Sequence, residues 1–269
     1  MIVTFLNLLF LLVFMGKNKR VLKTSKGTKK LVEAPASDGK VDRQATGIPG
    51  FDELVQGGIP RNSLNLLSGS SGTGKTTFGG QFIYNGALKG EPGIYISLEE
   101  EPEQIAQNWE YFGWNVQDLI KQKKLSIVQP ELYKYDILLR TIEDEIDRIK
   151  AKRVVVDSIS LIGMFFQDLF QIRKNILDFN RMLKRLNTTT LAISEIDEGS
   201  EKLSTYGVEE YIVDGIVVLH YVRQGNAYTR AVSVRKMRAT QHSTKIHPVR
   251  ITNKGMIAYP NEELFSDLK

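Results

Sequence analysis

The chain has 269 residues, 42% of them hydrophobic and 25% charged, the proportions of a folded globular protein with one sizeable core, which excludes disorder as its overall description. Zero cysteines exclude a disulfide framework, a zinc finger, an iron–sulfur cluster and a thiol nucleophile, and with only three histidines, His220, His242 and His247, a bound metal would be a hard ion held by oxygens and substrate phosphates. The net charge of +5 comes from residues 17–40, which carry +6 and leave −1 for residues 41–269, so the basic balance belongs to a tail.

Residues 2–15 (IVTFLNLLFLLVFM) are an apolar run of 14. As a helix it would reach about 21 Å against a hydrocarbon core of about 30 Å, which is too short to span comfortably. It lacks the charged leading region and small-residue cleavage site of a secretory signal. Three readings stand: translated sequence upstream of a start at Met15, which is preferred; a membrane-associating helix backed by the basic stretch; or a processed or buried segment. Any membrane association would run through residues 2–15 alone, and the expected location is cytoplasmic. Positions 17–40, Lys-rich with Ser, Gly and Pro, read as a linker. The expected division is residues 1–40 as this segment and linker, 41–262 as the folded domain, and 263–269 as a tail.

From residue 41 onward strand-like and helix-like patterns alternate. Ser63 to Leu67, Gly93 to Leu98, Leu125 to Val128, Arg153 to Asp157 and Thr189 to Ser194 are short apolar runs rich in β-branched residues, as buried parallel strands are. Between them, Leu139, Ile142, Ile146 and Ile149 form one helical stripe, and Ile172, Ile176, Phe179, Leu183 and Leu186 form another. After Asp214 the helices stop. Ile216 to Arg223 and Ala227 to Arg238 flank Gln224-Gly225-Asn226, and Val249 to Thr252 and Met256 to Tyr259 flank Asn253-Lys254-Gly255, which reads as two hairpins. The expected fold class is α/β: a mainly parallel central sheet flanked by helices, with a C-terminal antiparallel β extension.

Gly69-Ser70-Ser71-Gly72-Thr73-Gly74-Lys75-Thr76 fits the spacing GxxxxGK[ST] between an apolar strand and a helix that carries Phe78, Phe82 and Ile83 on one face. Glycines at this spacing let backbone N–H groups turn onto a β-phosphate while the helix terminus adds its dipole. Lys75 can then neutralise β/γ oxygens, and Thr76 can offer a hydroxyl to Mg²⁺. Asp157, at the carboxyl end of a buried strand, is the candidate second magnesium group. The strand Ile94 to Leu98 runs into Glu99-Glu100-Glu101-Pro102, which delivers carboxylates to the same sheet edge. Glu101 and Glu103 read as complements of a helix dipole. Glu99 and Glu100 read as candidates for activating water, and the residues alone do not choose between them.

Gly47 to Leu54, Gly57-Gly58-Ile59-Pro60, the loop Gly69 to Thr77, Tyr95 to Glu100, Phe112-Gly113-Trp114, Val154 to Ser158, Gly207 to Glu210, and Lys236-Met237-Arg238 with Thr240 and His242 together resemble the KaiC-type ATPases of the RecA superfamily. The chain is especially similar to the single-domain archaeal members. The resemblance covers roughly residues 44–260 in collinear order. It implies a RecA-like P-loop core, ATP with Mg²⁺ bound through the loop as far as Thr77, and a homo-oligomer, a hexameric ring with the nucleotide between subunits. It also implies Glu99 and Glu100 as catalytic glutamates, with Glu99 the main base, and contacts to the adjacent subunit's nucleotide from Lys236, Arg238, Thr240, His242, Thr252 and Asn253. Lys236 and Arg238, two apart on a strand, would share a face as paired cations on one γ-phosphate must. Asn253 stands where the family commonly has Asp, and Tyr111 where a smaller polar residue can lie near the base. The single P-loop domain, where the clock protein has two, gives no ground for a circadian role or a phosphorylation cycle.

Three functions remain in contest. The preferred one is an oligomeric ATPase that acts as a regulator or assembly factor on a protein partner the sequence does not identify. A nucleotide-gated, non-catalytic scaffold would use the same site. A RadA-like recombination ATPase is disfavoured: the segment after Ser194 holds Glu195, Asp197, Glu198 and Glu201 against Lys202 alone, a charge that repels nucleic-acid phosphates, so specific DNA binding is not expected.

Overall fold

The computed structural model describes residues 41–131 and 134–264. The apolar run at 2–15, the basic stretch at 17–40 and the last five residues of the expected tail lie outside them. In chain order the elements are β1 (Arg43–Gln44), α1 (Phe51–Leu54), β2 (Ile59–Pro60), β3 (Leu64–Gly69), α2 (Lys75–Leu88), β4 (Gly93–Ser97), α3 (Pro102–Glu110), α4 (Val116–Lys121) and β5 (Leu125–Val128). Then come α5 (Tyr135–Ile149), β6 (Arg153–Asp157), a 3-10 helix (Ile159–Phe165), α6 (Leu169–Arg185), β7 (Thr189–Glu195), α7 (Glu209–Ile212), β8 (Gly215–Gln224), β9 (Ala227–Met237), β10 (Ile246–Thr252) and β11 (Gly255–Ala258).

Nine strands form one sheet in the order β11-β10-β9-β8-β3-β7-β6-β4-β5. From β8 to β5 every neighbour is parallel, and β9, β10 and β11 add on antiparallel. The expected α/β class with its antiparallel extension is therefore the fold. Because the strands are buried on both faces, alternation within each run sorts side chains between two cores. Leu67, Tyr95, Val155, Leu191 and Ile193 pack with Phe78, Phe82, Ile105 and Trp109 of α2 and α3, while Leu66, Ile94, Ile96, Val154 and Val156 pack with α5 and α6.

Two details differ from the sequence pattern. The buried stripe of α5 is Leu138, Ile142, Ile146 and Ile149, with Leu139 only partly buried beside it, because the sheet lies under the 4, 4, 3 spacing. Both hairpin turns are one residue shorter than the sequence suggests: Gln224 pairs with Ala227 and Thr252 with Gly255, leaving Gly225-Asn226 and Asn253-Lys254 as two-residue turns. Helix α2 approaches the sheet closely through Gly79 and helix α3 through Gly80. A Cβ at Gly79 would stand 3.1 Å from Val155, and one at Gly80 would overlap the Trp109 indole, so the helix start is carried down onto β4 and β6.

Candidate functional site

Parallel strands end together, and β4, β6, β7 and β3 are successive neighbours, so Ser97, Asp157, Glu195 and Gly69 come out along one edge. The glycine loop rises from the central strand β3. Gly74, with φ of 100°, turns the chain into α2, a conformation that suits glycine, and a Cβ there would meet Met256 Cε at 2.7 Å. The loop braces itself: Thr73 Oγ1 donates to the Ser70 carbonyl at 2.8 Å, and Lys75 Nζ donates to the same oxygen at 3.1 Å. Arg230, on β9, donates from Nε to the Gly72 carbonyl at 2.9 Å.

Beside the loop opens a cavity of about 360 Å³ that brings Lys75, Thr76, Thr77, Glu99, Glu100 and Asp157 together, with Ser97, Glu195 and Ile251 completing the wall. Lys75 is buried at 8% exposure, and its ammonium lies 3.7 Å from Glu195 Oε1. Thr76 Oγ1 donates to Asp157 Oδ2 at 3.2 Å. The Tyr95 hydroxyl donates to the same oxygen. These hydroxyl and carboxylate oxygens are the donors magnesium takes, and such ions commonly rely on one or two carboxylates plus substrate phosphates.

Electrostatics separate the acids. Burial, then the charges of Glu195 and Asp157, push the Glu99 carboxyl above its ordinary range, against the Ser158 hydroxyl and Lys75. Burial likewise pushes Asp157 up, although Tyr95, Thr76 and Lys75 pull it down. The enclosed Tyr95 phenol is raised well above its usual value by burial and by Asp157. Glu100 is fastened by its backbone, donating from N to Ser97 Oγ at 2.9 Å. Glu101 stands at the N-cap position of α3 without a side-chain capping hydrogen bond, Pro102 opens the helix, and Glu103 falls in its first turn.

The remaining candidates lie apart from this cavity. Lys236 Nζ donates to the carbonyls of Glu210 at 2.9 Å and Val213 at 2.7 Å, at the end of α7. Arg238, just past β9 and 58% exposed in its side chain, reaches Asp214 at 3.1 Å. Thr240 Oγ1 accepts from Arg43 Nη1 at 2.9 Å. His242 Nδ1 lies 2.8 Å from the Ser243 carbonyl. Thr252 Oγ1 donates to the Gly255 carbonyl at 2.9 Å across the β10–β11 turn that exposes Asn253. Tyr111, 86% exposed, ends α3.

Sequence reasoning did not single out Glu195, Tyr95 or Arg230 as parts of the site. Glu195 counted only as one acid of a repulsive segment; the one sequence signal it carried was its place directly after the apolar run Thr189 to Ser194.

An α/β sheet whose central strand feeds a glycine loop and a helix starting at lysine, with an aspartate ending a nearby strand on the same face, defines a RecA-like P-loop protein. The chain belongs to the KaiC ATPase family: the profile described as "ATPase: KaiC" matches residues 44–263. It is 38% identical over 239 residues to a UPF0273 protein of Thermotoga maritima, covering 82% of this chain and 98% of that one. It is 36% identical over 231 residues to the circadian clock oscillator protein KaiC of Parathermosynechococcus lividus, covering 82% of this chain but 43% of that protein. The crystal structure of the KaiC-like protein PH0186 from Pyrococcus horikoshii OT3 superposes with a TM-score of 0.76 at 40% identity, covering 82% of this chain and all of that one. Family membership implies nucleotide binding. Among the described residues no helix is long and apolar enough to cross a membrane.

Proposed function

We propose that the chain binds ATP with magnesium through the loop Gly69 to Thr77 and hydrolyses it, and that it works as a homo-oligomeric regulator or assembly factor for a protein partner. The observation that carries this reading is the convergence of Lys75, Thr76, Asp157 and Glu99 on one cavity. The loop amides and the start of α2 receive the phosphates, and Lys75 neutralises the β/γ oxygens. Magnesium, held by Thr76 and Asp157, would draw off charge developing on the transferred phosphoryl group. Glu99, whose surroundings favour its taking a proton more than an ordinary carboxylate's do, accepts the proton of the attacking water. Glu100 stands beside it as the second acid.

The ring reading assigns Lys236, Arg238, Thr240, His242, Thr252 and Asn253 to the neighbour's nucleotide. It is supported by the anchoring of Lys236 and Arg238 at their own chain's α7–β8 corner, outside the lining of their own cavity. A cytoplasmic location goes with this reading. Glu195, Asp197 and Glu198, with Lys202, line a second cavity of about 490 Å³ beside Ser70, and their charge disfavours a DNA substrate.

The test is steady-state phosphate release with and without DNA, alongside nucleotide binding and mass in solution. Lys75→Ala should lose binding or turnover. Glu99→Gln, alone or with Glu100→Gln, should keep ATP bound and slow hydrolysis by about 10²-fold or more. Unchanged affinity and turnover in a folded Lys75→Ala protein would overturn the reading, and strong stimulation by DNA would favour the recombinase alternative.

A further inference from the structure

Tyr95 is an unusual residue to find where it stands. It occupies the middle of β4, a fully buried strand whose other described members are Gly93, Ile94, Ile96 and Ser97, and it is 0% exposed. A phenol there must hydrogen-bond or leave a polar group stranded in the core. Strand alternation turns it to the α2 side of the sheet, and its ring packs edge-on against Trp109 with centroids 4.9 Å apart. Two positions beyond Val155, Asp157 faces the same side. The parallel register pairs Tyr95 with Val155 and Ser97 with Asp157, so the phenol reaches along the sheet to the carboxylate ending the next strand.

The way the carboxylate is shared is specific. Oδ2 accepts both the Tyr95 hydroxyl and the Thr76 hydroxyl. Among the described residues Oδ1 has no hydrogen-bond partner, and Asp157 lines the cavity. The Asp157 carbonyl accepts from Leu98 N at 2.7 Å, tying the two strand ends together. Thr76 can donate its proton to Asp157 and offer a lone pair to the metal at once, whereas Tyr95, enclosed in the core, holds the same oxygen from behind the cavity whether or not the site is occupied.

The geometry points to Tyr95 as a positioning residue for the magnesium site: its hydroxyl pins one oxygen of Asp157 and so commits the other to the metal's ligand shell. It acts only through Asp157 and touches neither nucleotide nor metal. Partners of this kind orient metal-binding groups, and their loss commonly costs about 10- to 100-fold in metal affinity. This inference rests on the proposed magnesium-dependent nucleotide site.

The test is Tyr95→Phe, which keeps the ring against Trp109 and removes only the hydroxyl. ADP binding is measured by calorimetry in EDTA and across a series of Mg²⁺ concentrations, with the thermal midpoint of the nucleotide-free protein as a check on the fold. ADP affinity in EDTA should stay within about twofold of wild type, while the Mg²⁺ concentration giving half of the magnesium-dependent gain should rise by about tenfold. In an Asp157→Asn background the same change should do nothing further, since the oxygen it acts on has been altered. A wild-type Mg²⁺ midpoint in folded Tyr95→Phe overturns the proposal, and so does an undiminished effect in the Asp157→Asn background. If wild-type protein gains no ADP affinity from Mg²⁺ at all, the metal reading itself falls.

Discussion

Replacing Glu195 by Gln should tighten nucleotide binding. The Glu195 carboxylate stands 3.7 Å from Lys75 Nζ, with 59% of its side chain exposed. Unit charges at that distance attract by about 4 kcal/mol at an effective dielectric of about 20, and by about 1 kcal/mol in water. The exposure of Glu195 puts the pair near the lower figure. A triphosphate entering the loop must draw Lys75 away from this partner and set its own negative charges beside the same carboxylate. Both effects oppose binding, and both disappear in Glu195→Gln. One kcal/mol corresponds to about fivefold in affinity, so the dissociation constants of ADP and ATP should fall by about three- to tenfold. The gain should shrink between about 50 mM and 500 mM salt as screening removes the repulsion. Titration of a fluorescent nucleotide at both salt concentrations measures it. Unchanged or weaker binding, in a variant with wild-type thermal stability, would refute the argument by demonstrating that Glu195 neither competes for Lys75 nor faces the phosphates.

Three other expectations follow from the described geometry. If Lys236 and Arg238 serve a neighbour's site, mixing inactive Lys75→Ala protein with inactive Arg238→Ala protein should restore hydrolysis at interfaces that combine an intact loop with an intact Arg238; no recovery in demonstrated mixed oligomers would contradict it. Gly80→Ala should lower stability by about 1–3 kcal/mol in denaturant titrations, because the new methyl drives Trp109 out of its seat. Burial opposes ionisation of Glu91, but hydrogen bonds from Gln44, Arg153 and Arg61 outweigh it and hold the carboxyl at about 2. This depressed acid should contribute stability above its ordinary range near 4.5, and that contribution should be lost as pH falls from there through about 2. Glu91→Gln, which strands the 1%-exposed Arg153 without its counter-charge, should cost about 3 kcal/mol at neutral pH and flatten the decline below pH 4.5.

The legible parts of the molecule were those whose signal is local. Each buried parallel strand is a continuous apolar run, and the C-terminal hairpins carry glycine turns, so the sheet's strands could be read one by one. Lys75, Thr76, Asp157 and the pair Glu99 and Glu100 could be placed at one sheet edge because each sits in or follows a recognisable strand–loop unit, whereas the choice between the two glutamates came only from the family resemblance. The two-residue strands β1 and β2 and the four-residue helices α1 and α7 are too short to develop any period. The choice of Leu138 over Leu139 depends on where the sheet lies beneath α5. Glu195 and Tyr95 were hidden for a different reason. Their importance comes from strand neighbours distant in sequence, with Lys75 120 residues before Glu195 and Asp157 62 residues after Tyr95, and periodicity says nothing about which strands lie side by side.

The antiparallel wing is bolted to the phosphate loop at several points. Arg230 holds the Gly72 carbonyl, Gln81 of α2 both donates to the Met256 carbonyl at 3.1 Å and accepts from the Met256 N–H at 2.7 Å, and Gly74 leaves room only for Met256 and Ile251. The same wing bears Lys236, Thr252 and Asn253, and Arg238 follows directly after β9. In a ring, this fastening would work as a lever: the loop's response to its own nucleotide would tilt the cations and turn residues a subunit extends to the next. Occupancy of one site would then be felt at the next through a stiff mechanical link within each chain.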